Sequence, residues 1–565
     1  MKKKKAIVTV TALAAAFILL VAGYLTGSYD NMIGERYADV TDYFGELADN
    51  EYAIVFQDGS QAEERAVTFD GEEGYFLPWE DAFTLFDSPI YIDTEAGVGL
   101  VARSKRIWTY TPGEKGYVTD EGKHKKTDLT VVLHKGATWY VNIAYLPEIM
   151  DIYMDTDHPE AHSLLVITDQ TAVKAPAAES SEEGGIKVHT TDTKRSALYK
   201  KADEVYVLEE GESWSKVMTP EGYIGYAQNE EMGQSEVFTF EGNAPEYANL
   251  THQGTICLGW HQVAERGGNA TLTERMETAQ GMTIISPTWF SVTDEEGNIS
   301  SFASSDYVEE AHAKGLKVWG LIDNFTNTID DKAFMSSTTA RQNMISQLME
   351  EAKACGMDGV NLDFESIRES EAIDYTQLVR ELSIACRREG LIFSVDDPVP
   401  TYSAYYNRDV QGAVADYVIV MGYDENYAGS EQAGSNASLS FVEKGLKDTL
   451  KEVDASKVIS AMPFYTRLWI ESYDNGSLEC QTLAMTDANA YAKEQNMKTY
   501  WDAEAGQNIA ELDTEENLQR MWLEDEQSLE EKLKLIDSYE LAGGAFWKLG
   551  FEEADIWTLI RKYLP

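Results

Sequence analysis

The segment Asp358-Gly-Val-Asn-Leu-Asp363-Phe-Glu365 places Asn361, Asp363 and Glu365 at alternate positions of a short apolar run. Successive side chains of a strand point to opposite faces, so Asn361, Asp363 and Glu365 share one face and Val360, Leu362 and Phe364 the other. If the apolar set meets helices, the polar set points inward and Glu365 stands at the mouth. Carboxylates buried in a row are costly unless they have work to do. Packing two together raises the pKa of one, which suits Glu365 to donating a proton near neutral pH.

The elements that must position this strand are legible from about residue 250 onward. Short apolar runs alternate with helical stretches, the pattern of βαβ units and a parallel sheet. The predicted strands are 255–260, 282–286, 316–321, 359–364, 391–395, 417–421, 458–462 and 544–547. Ile345, Leu348, Met349 and Ala352 form one helical stripe, and Tyr375, Leu378, Val379, Leu382 and Cys386 another. Gly315, Gly356 and Gly390 follow helical stretches, where a left-handed residue closes the helix. Eight strands in about 310 residues fit an α/β fold of the (β/α)8 barrel type with an insertion after the seventh strand; a doubly wound open sheet is the alternative. The active site of such a barrel lies at the C-terminal strand ends. Here those ends carry Trp260, Trp289, Asp323-Asn324, Asp363 and Glu365, Asp396-Asp397, Tyr423-Asp424, Tyr465 with Arg467, and Trp547. Acids and aromatics converging on one rim suit a sugar cleft, in which rings stack on aromatic faces and carboxylates move protons. Trp260 and Trp319 read instead as core residues of the barrel.

Residues 250–565 resemble glycoside hydrolase family 18. Asp358 to Glu365 is similar to that family's Asp-x-x-Asp-x-Asp-x-Glu, Met421-Gly-Tyr423-Asp424 to its Met-x-Tyr-Asp, and Trp547 to the Trp closing strand eight. Ser286-Pro-Thr-Trp-Phe290, Met462-Pro-Phe-Tyr-Thr-Arg467, Trp522-Leu-Glu-Asp525 and Leu541-Ala-Gly-Gly-Ala-Phe-Trp547 are similar to its spore- and cell-wall-associated branch, which implies peptidoglycan, with chitin or a non-catalytic glycan-binding barrel as alternatives. The family's middle aspartate is Asn361 here, which shortens the row by one charge and weakens any scheme in which Asp363 cycles between two acidic neighbours. The resemblance implies substrate-assisted retention. Glu365 would be the acid, Asp363 would orient the substrate's acetamido group, Tyr423 would donate to its oxygen, and Trp547 would floor the sugar. Asp358, Asn361, Trp289, Asp424, Tyr465 and Arg467 would support or contact the glycan. No metal or cofactor is called for.

The rest of the chain points outside the cytoplasm. After Lys2 to Lys5, residues 6–24 carry no charge and are mostly apolar, which predicts a signal anchor within 1–30, or a cleaved signal peptide, with the remainder extracytoplasmic. Residues 31–174 read as a β-rich accessory domain and 175–187 as a linker. Residues 188–235 resemble a bacterial SH3-like domain through Trp214-x-x-Val, a turn at Pro220-Glu-Gly222 and a Gly-Tyr strand. Such modules bind wall peptides or serve as spacers. The net charge of −51, with basic residues concentrated at the N-terminus, argues against nucleic acid as a partner and is compatible with a neutral polymer. Cys257, Cys355, Cys386 and Cys480 lack metal-like spacing and read as free thiols.

Overall fold

The computed structural model describes residues 35–565 apart from 40–42, 169, 180–184 and 327–328. The expected N-terminal anchor lies outside the described residues. Among the described residues, no helix is long and apolar enough to cross a membrane.

The chain forms two compact units, one built from residues up to 90 with 110–118 and 124–245, the other from 91–109, 119–123 and 246–565. The first is mainly β, with two seven-stranded sheets and a short helix, Trp79–Phe86. In one, Glu51–Phe56 runs parallel to Ser163–Ile167 and antiparallel to Gln61–Val67. In the other, Trp214–Met218 and Ile224–Gln228 form the hairpin read from the sequence, with Val217 opposite Gly225. Gly222 in its turn has φ +85°, and a Cβ there would stand 2.9 Å from Val55 Cγ2, so only glycine fits. The segment read as a linker starts inside this second sheet. Val173–Pro176 is a strand pairing with Glu204–Glu209, and Ile186–His189 is another. Val55 and Leu165 of one sheet share a core with Tyr206 and Met218 of the other. The two segments expected as separate modules therefore share a core within one compact unit, and residues 180–184 of the expected linker lie outside the described residues.

The second unit holds the predicted barrel. Its strands are β1 (Ile256–His261), β2 (Ile284–Val292), β3 (Lys317–Asp323), β4 (Gly359–Asp363), β5 (Ile392–Pro398), β6 (Tyr417–Met421), β7 (Val458–Pro463) and β8 (Gly543–Trp547). Each pairs in parallel with the next, and β8 also pairs with β1, Ile256 opposite Gly543. That closure excludes the open sheet. The inner layer includes Leu258, Trp260, Trp319, Leu321, Ile419 and Ala545, and the alternate residues of each strand meet the helices outside. Between β3 and β4, helix Thr338–Cys355 is capped by the Ser337 side chain and ends on Gly356 at φ +74°. Between β4 and β5, helix Ala372–Glu389 ends on Gly390 at φ +72° and buries Tyr375, Leu378, Val379, Leu382 and Cys386. Residues 91–109 belong with these helices. Tyr91 Oη donates to Asp374 Oδ1 at 2.6 Å, and the guanidinium of Arg341 sits 4.7 Å over the Tyr91 ring. All four cysteines are free, Cys257 and Cys386 in the core.

The insertion after β7 is a five-stranded antiparallel sheet running from Tyr465–Ser472 to Asn517–Leu523, with helix Met485–Glu494 against it. A fully buried ion pair stands where the insertion returns to the barrel: Lys532 Nζ donates to Glu524 at 2.7 Å, and Gln507 Nε2 donates to the same carboxylate at 2.8 Å. Burial lifts Glu524 to about 7 against the pull of Lys532. Replacing Lys532 by Met should destabilise the fold by about 3–5 kcal/mol at alkaline pH, because a lone charge is left in the core. Without the ammonium, the folded-state pKa of Glu524 lies above its unfolded value. The loss should therefore fade as pH falls through the folded pKa, measured as guanidinium unfolding midpoints across pH.

Candidate active site

The strand β4 divides as its alternation requires. Val360, Leu362 and Phe364 are buried against the helices, while Asn361 and Asp363 face the barrel interior. Parallel register then sets their neighbours. Asp323 on β3 lies opposite Asp363, and Leu362 opposite Val395 puts Asp396 on β5 beside Asp363 on its other flank. Adjacent strands are about 4.8 Å apart. Three carboxylates thus form a row across β3, β4 and β5, with Glu365 above the middle one.

Asn361 organises the floor beneath them. Its Oδ1 accepts from Trp260 Nε1 at 2.9 Å and from Ser286 Oγ at 3.2 Å. Its Nδ2 donates to Asp396 Oδ1 at 2.7 Å and to Ser394 Oγ at 3.1 Å. The amide's orientation is therefore set from both sides, and Trp260 is a core residue that also locks it. Asn324, just past β3, holds the backbone of Glu365: its Oδ1 accepts from Glu365 N–H at 3.0 Å and its Nδ2 donates to the Glu365 carbonyl at 3.1 Å. Ser366, directly after Glu365, has φ +60°, an uncommon conformation for a non-glycine residue that aims the end of β4.

Charge in this pocket is of one sign. Burial raises Asp363 well above the ordinary carboxylate range, with Asp396, Glu365 and Asp323 adding to it. Burial also raises Glu365, helped by Asp424 and Asp323. Tyr423 is pushed far up by burial and by Tyr465 and the acids, so it remains a phenol and a hydrogen-bond donor. Its ring lies 6.1 Å from that of Tyr465 at 70°. Tyr465 Oη donates to Asp424 Oδ1 at 2.8 Å, and Arg467 donates to the same oxygen at 2.6 Å. Trp547 ends β8 with its ring 5.9 Å from Trp260. Desolvated acids, a neutral phenol and an indole around one mouth can protonate an ether oxygen and hold an apolar sugar face.

Glu365, Asp363, Asn361, Tyr423, Asp424, Tyr465, Arg467 and Trp547 come together at this mouth and its floor. Two residues expected with them do not. Asp358 lies at the N-terminal end of β4, across the length of the barrel. Burial opposes its ionisation, but Lys317 Nζ at 2.7 Å, Val318 N–H at 2.9 Å and His312 Nε2 at 2.7 Å hold its carboxyl below the usual range. Trp289 points outward from β2, buried between Phe290 and Tyr307, with Nε1 donating to Asn269 at 2.8 Å. The register of β2 turns it from the cleft. Asp323, Asn324 and Asp396 were visible only as polar strand ends, and their roles follow from register with β4.

Residues 222–552 match the family described as glycosyl hydrolases family 18, and the chain belongs to it. It is a glycoside hydrolase with a closed eight-stranded parallel barrel. It is 27% identical over 283 residues to the uncharacterized glycosylase YvbX of Bacillus subtilis, covering 48% of this chain and 81% of that one. It is 25% identical over 238 residues to the cortical fragment-lytic enzyme of the same organism, covering 40% of this chain and 55% of that one. Its fold is similar to the spore cortex-lytic enzyme SleL of Bacillus cereus, with a TM-score of 0.50 at 18% identity over 60% of this chain and 79% of that one.

Placing Asp358 at the far end of the barrel has a measurable consequence. Asp358→Asn should leave kcat within about twofold of wild type and lower stability by about 1–3 kcal/mol at neutral pH. A depressed folded pKa contributes stability above the unfolded value that is lost as pH falls through the folded one. The difference in unfolding midpoint should therefore vanish in strong acid.

Proposed function

We propose that the chain is a retaining, substrate-assisted hydrolase of β-1,4-linked N-acetylglucosaminyl bonds in cell-wall peptidoglycan. The observation that carries this reading is Glu365, a desolvated carboxyl held at the barrel mouth above Asp363 and facing Tyr423. Glu365 protonates the glycosidic oxygen while the substrate's own acetamido oxygen attacks the anomeric carbon, so the nucleophile belongs to the glycan. Asp363 accepts the acetamido N–H, and Tyr423 donates to the acetamido oxygen. Trp547 floors the sugar, while Asp424, Tyr465 and Arg467 form the polar wall beside it. Water then opens the cyclic intermediate, and Glu365, now a carboxylate, takes its proton.

Peptidoglycan in place of chitin is supported by the likeness to a cortical fragment-lytic enzyme. Chitin is the second reading, supported by 25% identity over 190 residues to endochitinase 1 of Metarhizium anisopliae. An extracytoplasmic location is supported by Lys2 to Lys5 and the uncharged apolar run after them. The hairpin Trp214 to Gln228 is then an SH3-like element that contacts wall peptide or spaces the barrel from the membrane.

Glu365→Gln should lower the release of reducing ends from purified peptidoglycan by about 10²–10⁴-fold. Mass spectrometry of the fragments names the bond cut, and cleavage of chitin alone would reverse the choice of substrate. Because Glu365 acts protonated and its pKa is raised, wild-type activity should persist above the ordinary carboxyl range and fall as pH rises through the shifted value.

A further inference from the structure

We propose that Asp396 is a positioning residue that shares one proton with Asp363 and so fixes the ionised form in which Asp363 meets the substrate. The inference rests on the substrate-assisted reading above and adds to it a residue on a different strand.

The geometry is set by register. Asn361 opposite Ser394 and Leu362 opposite Val395 make Asp363 and Asp396 the next inward neighbours across β4 and β5. They are 5% and 1% exposed. Asp396 Oδ1 is occupied by Asn361 Nδ2 at 2.7 Å. Asp396 Oδ2 and Asp363 Oδ1 are both fully buried without a donor among the described residues. An ionised carboxylate only accepts, so two adjacent carboxylates cannot satisfy one another. One proton between them supplies the donor and removes one of two buried like charges.

Asn361 decides which oxygen of Asp396 is free to carry that proton: Oδ1 accepts the amide N–H, so Oδ2 is left to hold the proton toward Asp363. The Oδ1 of Asn361 is taken by Trp260 and Ser286, so it can offer Asp396 only an N–H. The sequence row that lost a charge at position 361 regains one from the neighbouring strand. The charged and titratable groups facing the pair are Asp323 from β3, Glu365 from the end of β4 and Tyr423 from the end of β6, and Asp397 of β5 acts on Asp396 through its charge. Asp397 faces the other side of β5, where Arg408 Nε stands 3.3 Å from it. Burial raises both Asp363 and Asp396; the Asn361 N–H opposes the rise at Asp396, and neighbouring acids add to it at both.

During the reaction the proton remains on Asp396. Asp363 turns its charge to the acetamido N–H as positive charge develops on that group, and the pair returns to its resting arrangement when water opens the intermediate. No proton is gained or lost by the pair over the cycle.

Active enzyme then requires a proton on Glu365 and another on the pair. The test uses the full chain and a soluble N-acetylglucosamine-containing oligosaccharide that the wild type cleaves. On the alkaline side, wild-type kcat/KM should fall toward the second power of proton concentration, and that of Asp396→Asn toward the first, since the amide cannot ionise. Asp396→Ala should lower kcat by about 10²-fold with KM within about threefold. Adding Asn361→Asp to Asp396→Ala should restore kcat at least about tenfold, because a carboxylate returns to the same inward face as Asp363; a loss through packing alone would not be rescued this way. Equal alkaline slopes in wild type and Asp396→Asn would overturn the proposal, as would Asp396→Ala with unchanged kcat. If the Ala variant does not fold, the slope comparison decides alone. Failure of the underlying reading registers separately, as Glu365→Gln retaining full rate.

Discussion

Three carboxylates stand side by side on β3, β4 and β5, each desolvated and none forming an ion pair among the described residues. Burying like charges side by side favours the protonation of some of them. Much of the local structure follows from that constraint. Trp260 and Ser286 hold the Asn361 oxygen so that its N–H reaches Asp396. Tyr423 keeps its phenolic proton because burial, and then Tyr465 and the acids around it, oppose ionisation. Glu365, at the mouth end of the row, has a pKa raised by burial and then by Asp424 and Asp323, which is what a proton donor near neutrality requires.

Holding like charges together needs a scaffold that does not relax around them. Closure of β8 on β1 ties every barrel strand on both edges, so the strands cannot slide apart under the repulsion. The aromatic inner layer, with Trp319 stacked 5.7 Å from Tyr417, fills the barrel beneath the acids. The remaining polar wall comes from the insertion after β7, whose Tyr465 and Arg467 hold Asp424, and the Lys532–Glu524 pair stands where its last strand returns to the barrel. The strain at Ser366 and Asp424, both at φ +60°, falls where strand ends must turn functional side chains into the cleft.

Much of this was legible in the sequence where a short-range rule applied. The period of two on β4 placed Asn361 and Asp363 on the inner face, and the helix stripes with Gly356 and Gly390 after them marked the barrel. Trp289 and Asp358 were misread for one reason. Each lies in a motif-bearing segment, but whether a residue faces the cleft, the helices or the far end of the barrel depends on where its strand begins and how it is staggered against its neighbours. The first two residues of the expected linker 175–187 belong to a strand, because the pairing of Val173–Pro176 depends on strands distant in sequence.

The sequence by itself determined the eight strands and the glycoside hydrolase family, and singled out Glu365 as the candidate acid, because alternation, helix stops and motif spacing are local and survive without coordinates. Only the tertiary structure decided that Asp396 stands beside Asp363 and that Asn324 holds the Glu365 backbone. Those neighbours are 33 and 41 residues apart in the chain. The physical reason is register: parallel strands meet across intervening helices, and a shift of a single residue would turn Asp396 away from the site.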